Sequence, residues 1–447
     1  MIGRLVYFQE KNILNDLKMK SQKKITILIP IMRPPDVESV DVKAVNNIMN
    51  KLEEKITVKQ VWIIFQNSKF KIQNSKHIEV IHFEDFKNAI DIIEKFQPEL
   101  ILFDGELTIP SLAFALAGRK KEIPTVGIFL IPEIGKGSSR WLKNRIQMIF
   151  SEKPFTDVKI ESQLEEDTAM KFLLREYKFL LRTVKKMNFN ILEWIKFFIN
   201  YPRVQLFSKY NIAHHKINEA VLTLCSTNSW KEQLEKQGFN PKKTKVIGTP
   251  LYDDLFNKTK GIEFNKTKSK KIKILFCVGG MHEHGIWSKK TEHKLIKNTI
   301  NKLSEYKDFQ ISFKIHPVSA SIDEYKKLIK ENKWELKIYQ KERFLELIKE
   351  YDVILTYTPS SIIHECVLLR KPIVLLQVSN QSATESVYNE NIISVCRNLD
   401  DIFNDLNEAQ NKKIERAVKD ELIEKLIGKF DGKCSERAVN EILDIIK

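Results

Sequence analysis

The chain has 447 residues, of which 43% are hydrophobic and 30% are charged, as in globular proteins built from two or three domains. Its 74 Lys and Arg residues against 58 Asp and Glu give a net charge of +16, which favours acidic partners such as phosphorylated substrates, anionic lipid or nucleic acid. No run of about 18 consecutive apolar residues, the length that a membrane-spanning helix needs, occurs in the sequence.

Five cysteines are scattered through the chain without CxxC spacing. This usage predicts buried thiols in a reducing compartment. The first residues, MIGRLVYFQEKN, carry charge too early for a secretory signal. We therefore expect a cytoplasmic protein, and we leave open a peripheral attachment to the inner face of the cell membrane.

Short apolar runs predict the strands of the fold. In the first half they are 25–31, 58–65, 78–83, 99–105, 125–131, 221–227 and 245–248. In the second half they are 272–278, 309–316, 335–340, 352–357, 372–377 and 393–396. The runs are continuously apolar, which is typical of parallel strands buried on both faces. Helical patterns such as 88–96 and 321–331 separate them, so the predicted fold class is α/β with a parallel sheet in each half.

A lysine-rich stretch, FNKTKGIEFNKTKSKK at 256–271, is typical of a linker between the halves. It predicts an N-terminal domain over 1–255 and a C-terminal domain over 272–433. The last helix, 434–447, is compatible with either domain. Two such domains would face each other across a cleft, and ligands of open α/β sheets bind outside the carboxyl ends of the strands.

The segment 139–211 interrupts the alternation, because it contains no predicted strand. Its part 171–203 is rich in Lys, Arg and large apolar side chains, among them Phe179 and Trp194, and this pattern predicts basic amphipathic helices. One interpretation is contact with a membrane surface or an acceptor, with the aromatic side chains in the interface. The other is a helical arm that packs on the N-terminal domain.

The loop after strand 272–278 begins with Gly279 and Gly280, which allow a ligand to approach the backbone closely. The loop does not match GxGxxG, so hydride transfer with a dinucleotide is disfavoured. His282 and His284 follow as candidates for substrate contact, and His284 also as a candidate catalytic group; solvent-facing loop histidines are the alternative. A metal ion would need a third ligand that the sequence does not supply, so no metal is predicted.

The next two strands of the C-terminal half end in further polar side chains. His316 stands at a strand tip, where it can neutralise phosphate charge or cap the following helix. Ser360 or Ser361 is the predicted N-cap of helix 362–370, and the other hydroxyl forms an anion site with the free N–H groups. Glu365 shares a helix face with Ser361 and can accept hydrogen bonds from sugar hydroxyls, although an acid there also suits the helix dipole alone.

Two further pairs are candidates. Thr384 and Glu385, in a polar loop after the next strand, are weaker candidates for contact with a base or sugar. Asp104 and Glu106 flank a glycine at a strand tip in the N-terminal half. These two carboxylates are positioned for general-base catalysis on a hydroxyl, and the alternative is that they cap the next helix.

Several of these stretches resemble known families. LTYTPSSIIHECVLLRKPIVLL and FKIHP resemble the Ser-Ser helix and the His-Pro motif of CDP-glycerol glycerophosphotransferases and capsule polysialyltransferases. PELILFDGELTIPSLAFALAGRKKEIPTV, VIGTPLYDDLF and ILFCVGGMHEHG resemble the UDP-N-acetylglucosamine 2-epimerases. These families share the GT-B architecture, in which two Rossmann-like domains face each other and the second binds most of a nucleotide sugar. The resemblance spans about 25–400 apart from 139–211, so it implies a GT-B fold with a helical insertion in the N-domain.

The resemblance also implies roles for the candidate residues. The diphosphate of a nucleotide-activated donor would be bound by Gly279, Gly280, His316, Ser360 and Ser361. Glu365 would bind the ribose or sugar, and Glu106 or Asp104 would deprotonate an acceptor hydroxyl. No cofactor or metal is implied besides the nucleotide-linked substrate.

Two positions differ from the epimerase pattern. Phe129 stands where the epimerases have a glutamate, and the loop MHEHG contains no arginine. Epimerisation by elimination and re-addition needs several acid/base groups around one sugar carbon. The leading hypothesis is therefore a GT-B transferase that moves a sugar or polyol phosphate to a cell-surface polysaccharide or lipid-linked glycan.

Two alternatives stay open beside the transferase. The first is a non-hydrolysing UDP-N-acetylglucosamine 2-epimerase. The second, less favoured, is a non-enzymatic basic protein that binds membrane or nucleic acid. No recognised nucleic-acid motif is present in the sequence, so nucleic acid is not an expected partner.

Overall fold

The computed structural model describes residues 24–36, 40–64, 77–104, 109–130, 169–195, 220–236, 239–259, 271–278, 281, 287–316, 321–358, 361–377, 393–412 and 416–446. The chain divides into two compact units. The first comprises Met1–Leu130, Leu173–Asp254 and Asp431–Lys447, and the second comprises Ile131–Phe172 and Leu255–Phe430.

The first unit contains a parallel sheet of seven strands in the order β3-β2-β1-β4-β5-β6-β7. The strands are β1 Ile25–Met32, β2 Val58–Ile64, β3 Ile78–His82, β4 Leu100–Asp104, β5 Thr125–Phe129, β6 Leu222–Cys225 and β7 Thr244–Val246. The helices of this part of the chain are α1 Val40–Glu53, α2 Ala89–Phe96, α3 Ile109–Lys120, α4 Ala169–Lys186, α5 Asn228–Lys236 and α6 Asp253–Thr259.

The second unit contains a parallel sheet of six strands in the order β10-β9-β8-β11-β12-β13. The strands are β8 Ile272–Val278, β9 Phe309–Ile315, β10 Lys337–Tyr339, β11 Val353–Thr356, β12 Ile373–Leu376 and β13 Ser394–Cys396. The helices are α7 Lys289–Ser304, α8 Ile322–Glu331, α9 Phe344–Leu347, α10 Ser361–Leu368, α11 Ile402–Asn411 and α12 Arg416–Ile427, and they are followed by α13 Cys434–Ile446.

The predicted fold class is confirmed. Each of the thirteen predicted strands is present, with ends within two residues of those predicted. Starting from its first strand, each sheet follows the order of doubly wound nucleotide-binding folds, in which the chain builds one side of the sheet and then returns to build the other. The architecture is a two-domain, Rossmann-like α/β fold.

Burial on both faces explains why the strands read as continuous apolar runs. In β1, Leu28 and Met32 pack into the cluster that contains α2 and α3. Ile27, Ile29 and Ile31 point to the opposite face and pack against α1 and α13. Successive strand residues point to opposite faces, so a strand covered on both sides needs apolar residues at every position.

The last helix, α13, belongs to the first unit. The carboxylate of Asp253 accepts hydrogen bonds from the N–H groups of Cys434 (2.9 Å) and Ser435 (2.6 Å). Arg437, in the same helix, donates to the carbonyl of Ile247 (2.8 Å). A carboxylate on free N–H groups at a helix start is a strong cap, so this helix is anchored by chain segments nearly two hundred positions away.

Helix α4 begins the described part of the predicted insertion, and its inner face is core. The ring of Phe179 packs 5.1 Å from that of Phe83 and 5.8 Å from that of Phe114. The hydroxyl of Thr183 accepts a hydrogen bond from the N–H of Ala89 (3.0 Å) and donates to the carbonyl of Phe179 (2.9 Å). Phe179 is therefore a core residue of the first unit. The membrane interpretation, which placed this ring in a membrane interface, is wrong for Phe179.

The predicted helical stretch is divided by a turn. Asn188 has a left-handed φ of 51°, and a second helical stretch covers 191–195. Asn190 and Glu193 form a reciprocal capping box, in which each side chain accepts from the other residue's N–H at 2.8 Å. Among the described residues, no helix is both long and apolar enough to cross a membrane.

Candidate functional site

The strand order of the second sheet defines a crevice beside its central strands. β9 and β10 lie on one side of β8, and β11, β12 and β13 lie on the other. The connections that leave β8 and β11 therefore diverge, and ligands of such sheets bind at the carboxyl ends of the strands at this point. The candidate site is the carboxyl edge formed by β8, β9 and β11.

Helix α10 starts at this edge, directly after β11. It begins at Ser361, one residue earlier than predicted, and Ser361 is half-buried. The first N–H groups of a helix have no partner within it, and the dipole favours an anion there. The helix ends in a Schellman motif: the N–H of Lys371 bonds to the carbonyl of Cys366 (2.8 Å), and Arg370 has a left-handed φ of 55°.

β9 contributes a buried lysine to the same edge. Lys314 is 6% exposed and donates hydrogen bonds to the carbonyls of Gln340 (2.7 Å) and Ile315 (3.2 Å). Burial lowers its pKa. In the sheet it pairs with Cys277 of β8. Burial raises the pKa of the Cys277 thiol; the charge of Glu365 raises this pKa further, and the charge of Lys314 lowers it.

His316 is half-buried and follows the last residue of β9. The structure therefore brings the three fully described members of the predicted donor site, His316, Ser361 and Glu365, to one carboxyl edge. They come from strands on either side of β8. A cationic or hydrogen-bonding histidine, a helix N-terminus and a buried ammonium at one edge are suited to a phosphate group.

A buried carboxylate joins the segment after β8 to the segment after β11. Glu292, in the first turn of α7, is 0% exposed. Its Oε1 accepts hydrogen bonds from the N–H of Met281 (3.0 Å) and from the hydroxyl of Tyr357. The indole of Trp287 stacks on the ring of Tyr357, with centroids 5.5 Å apart and planes at 22°. One side chain thus fixes both chain segments that flank the crevice.

His364 lies within the first turn of α10. Burial lowers its pKa to about 4, so its imidazole is neutral at neutral pH. A neutral imidazole can exchange hydrogen bonds but brings no positive charge to a phosphate. His364 therefore adds no positive charge to this edge.

The remaining predicted site residues lie outside the described residues. They are Glu106, Gly279, Gly280, His282, His284, Ser360, Thr384 and Glu385. Within the described part of the chain, no group of three or more His, Cys, Asp and Glu side chains could hold a metal ion.

The first sheet places different groups at its carboxyl edge. Asp104 is the last residue of β4. Phe129, the last residue of β5, is 6% exposed, and its ring lies 5.4 Å from that of Phe239. Cys225 and Trp230 complete this small apolar cluster. The end of β5 is therefore packed with apolar side chains.

Sequence reasoning missed Lys314, Glu292 and Tyr357. A signal for Lys314 was available, because a lysine inside the buried run FQISFKI must find polar partners or a ligand. No comparable signal marked the other two. Glu292 and Tyr357 are 65 positions apart in the chain, and only the sheet topology brings them together.

The chain was compared with known proteins. A family model described as UDP-N-acetylglucosamine 2-epimerase matches residues 216–443, just over half of the chain. A search of curated proteins finds no match.

Solved structures share the whole fold. The UDP-GlcNAc 2-epimerase from Methanocaldococcus jannaschii is 16% identical with a TM-score of 0.52, and the match covers 94% of this chain and all (100%) of that one. The UDP-GlcNAc 2-epimerase from Neisseria meningitidis, solved with UDP-GlcNAc, is 14% identical with a TM-score of 0.50, and the match covers 94% and 100%. The glycotransferase of kitacinnamycin is 10% identical with a TM-score of 0.51 and coverage of 95% and 100%.

At these identities the structural likeness establishes the two-domain GT-B fold that the resemblance implied. The family match rests on the sequence and not on the fold alone. It extends over the second sheet and the last two strands of the first. It supports the epimerase alternative better than the transferase hypothesis. The chain belongs to the UDP-N-acetylglucosamine 2-epimerase family.

Proposed function

We propose that the protein binds a UDP-linked N-acetylhexosamine at the carboxyl edge of its second sheet and inverts the configuration at C2 of the sugar. The observation that carries this proposal is the family match over 216–443, which includes all strands of the second sheet. Two of the similar solved structures contain UDP-GlcNAc, which supports a nucleotide sugar as the substrate class.

The diphosphate is proposed to bind at the N-terminus of α10. Ser361 and the free N–H groups of that helix would donate hydrogen bonds to it, with His316 and the ammonium of Lys314 supplying further donors and charge. Ser360 and the backbone of Gly279 and Gly280 are proposed to complete this phosphate site.

The sugar and nucleoside are proposed to contact a second set of side chains. Glu365 would accept hydrogen bonds from hydroxyl groups of the ribose or sugar. His282, Thr384 and Glu385 remain proposed contacts of the same substrate. No cofactor beyond the nucleotide sugar is proposed.

Inversion at C2 requires a proton to leave that carbon and another to return on the opposite face. In an elimination and re-addition, a base takes the C2 proton while UDP leaves C1, and UDP then re-adds to C1 as C2 is reprotonated. Asp104, Glu106 and His284 are the proposed proton-transfer groups. Lys314 and His316 would stabilise the charge that develops on the departing phosphate.

We also place this activity in the cytoplasm. All five cysteines fall among the described residues; each is buried and none forms a disulfide. Burial raises the pKa of the Cys225 thiol to about 12, which keeps it protonated and unreactive. Buried thiols of this kind fit a reducing compartment.

A second candidate function is transfer of the sugar, or of a polyol phosphate, to a polysaccharide or lipid-linked glycan. The observation in its favour is Phe129, which packs against Phe239 in an apolar cluster at the position where the resemblance to the epimerases implies a glutamate. An apolar strand end supplies no acid or base for chemistry at C2. A transferase needs only one base for its acceptor hydroxyl.

Incubation with UDP-GlcNAc alone in D2O separates the two functions. An epimerase forms the C2 epimer without an acceptor, and proton NMR will show its new anomeric signal and deuterium at C2 of both epimers. A transferase leaves the sugar configuration and its C2 proton unchanged while still binding the nucleotide sugar in calorimetry. Turnover without deuterium incorporation at C2 would contradict the proposed elimination.

The proposed site is tested separately by UDP binding. Ser361→Ala and His316→Ala should each weaken UDP affinity roughly 10- to 150-fold, the effect of one lost hydrogen bond to a charged group. Ser321→Ala is the matched control, because Ser321 also lies at the start of a helix of the second unit but is exposed and makes no side-chain capping bond. Unchanged affinity in both site variants would remove the phosphate site from this edge.

The nucleotide and the sugar are identified by a thermal-shift screen over UDP-, CMP-, CDP- and GDP-linked donors. A ligand that binds only the folded state raises the melting temperature. The proposal expects UDP-linked N-acetylhexosamines to give the largest shift. A larger shift with a CDP-linked polyol or a CMP-linked sugar would favour the transferase.

A further inference from the structure

We infer that the outer face of α4, together with the helical residues 191–195, is a docking surface for an anionic lipid bilayer. This outer basic face comprises Leu174, Tyr177, Lys178, Leu181, Arg182, Lys185, Ile191, Leu192 and Ile195. The inference concerns where the enzyme works and does not depend on which reaction it catalyses.

The exposed large apolar side chains are concentrated in this part of the first unit. Among the described residues there are six, and five of them lie between positions 174 and 195. They are Leu174 (58% exposed), Leu181 (41%), Ile191 (78%), Leu192 (67%) and Ile195 (47%). Single exposed apolar residues are ordinary, whereas a contiguous group such as Leu174 and Leu181, which line one depression of α4, indicates an interaction site.

Three cations share this surface. Lys178, Arg182 and Lys185 are exposed and line one shallow depression of α4 together with Leu174 and Leu181. Residues three, four, seven and eight apart lie on one helix face, so the cations flank the leucines. In the described part of the chain, no carboxylate lies within ion-pair distance of these three cations.

The neighbouring Lys186 shows the contrast. Its ammonium points away from this face and pairs with Asp91 and with Glu94 (3.2 Å). The inner face of the same helix is fixed in the core through Phe179 and Thr183. The helix therefore cannot turn its outer leucines inward, and it presents them and the three cations to the solvent as a fixed surface.

Apolar side chains bordered by cations complement an anionic membrane surface. Helices of this kind lie in the plane of the interface, with apolar groups in the lipid and Lys or Arg at the headgroups. A second copy of the chain is a poorer occupant, because a symmetric contact would bring the same three cations against each other. The bilayer satisfies both the apolar and the cationic part of the surface.

Co-sedimentation of the full-length protein with vesicles tests this inference without substrate. Vesicles of phosphatidylcholine and phosphatidylglycerol at 3:1 are compared with pure phosphatidylcholine, at low and at physiological salt. We expect binding to the anionic vesicles, much weaker binding to the neutral ones, and a loss as salt is raised.

Two variants test the two parts of the surface. The triple variant Lys178→Gln, Arg182→Gln, Lys185→Gln should lower affinity for the anionic vesicles on the order of 100-fold, since each cation near such a surface is worth roughly a factor of five. Leu174→Ser combined with Leu181→Ser should lower it about 10-fold or more by removing buried apolar area. All five side chains are exposed, so melting temperatures should change little.

The matched control removes the same number of charges from the second unit. Lys326, Lys327 and Lys330 are exposed on α8, and their triple replacement by Gln should leave vesicle binding nearly unchanged. Equal losses in both triple variants would show that net charge alone attracts the protein, and would overturn the docking surface. The inference is equally overturned if the wild type does not sediment with anionic vesicles, or if Leu174→Ser, Leu181→Ser instead abolishes a dimer seen by sedimentation velocity.

Discussion

The two sheets have the same central strand order, yet their carboxyl edges carry different chemistry. The second sheet has a buried ammonium, Lys314, and a buried carboxylate, Glu292, at or beside its edge. The described end of β5 in the first sheet is closed by the aromatic pair Phe129 and Phe239. Burial of a charge is costly unless the charge is paired or used, and this edge is one of the places where the fold tolerates that cost.

Asp253, a buried carboxylate of the first unit, has a different task. Asp253 is 7% exposed, and both of its carboxylate oxygens cap α13. That contact holds α13 in the first unit. Asp253 thus anchors an element, whereas Lys314 and Glu292 lie at or beside the candidate site.

The largest expected effect comes from Glu292→Ala. The change leaves the N–H of Met281 and the hydroxyl of Tyr357 without their shared acceptor, and should lower the free energy of unfolding of the second unit by about 2–4 kcal/mol. It should also weaken UDP binding at least 10-fold, because both segments beside the crevice lose their common anchor. Urea unfolding and calorimetry measure the two effects.

Conservative variants of Glu292 and Tyr357 separate the effect of the lost hydrogen bonds from the effect of the lost carboxylate charge. Glu292→Gln keeps an acceptor oxygen and should recover most of the UDP affinity, and Tyr357→Phe should cost only about 1–2 kcal/mol because it removes one hydroxyl. Loss of stability in Glu292→Ala with wild-type UDP affinity would mean that this network supports the fold and not the site.

An intermediate effect is expected from Asp253→Ala in the first unit. Loss of a helix cap with two charged hydrogen bonds should lower stability by about 1–2 kcal/mol, seen as earlier unfolding in urea. UDP affinity should stay within twofold of the wild type, because the change lies outside the second unit. A tenfold loss of UDP affinity would break the separation between anchoring and site-forming charges.

The strands were predictable from sequence because burial on both faces leaves a strong local signal. Runs such as ITILIPI and IKILFCV contain one polar residue each, and a parallel sheet covered by helices is the arrangement that buries their apolar side chains on both faces. The start of α10 was predictable to within one residue, since serines are preferred N-cap residues. Its end followed from Pro372, which cannot continue a helix.

The rest of the site was not predictable, because it depends on contacts across the sheet. Glu292 is an ordinary first-turn acid in the sequence, and only the adjacency of β8 and β11 makes it the acceptor for Tyr357. The same holds for α13, whose cap, Asp253, lies far away in the chain. In α4, the amphipathic pattern was evident, but the sequence did not reveal which apolar residues face the core.

The smallest expected effects come from two helix ends that are matched between the units. Arg370 after α10 has a left-handed φ of 55°, and Gln97 after α2 has one of 44°. Glycine adopts this conformation without the steric cost that a Cβ adds, so Arg370→Gly and Gln97→Gly should each raise the melting temperature by about 1–3 °C. Neither change touches the proposed phosphate site, and UDP affinity should be unchanged in both.

Equal gains in melting temperature would show that the helix ends of the two units respond alike to glycine. The difference between the units would then lie in the charged side chains at their carboxyl edges. A drop in UDP affinity with Arg370→Gly alone would mean that the exit of α10, and not only its entrance, contributes to the site.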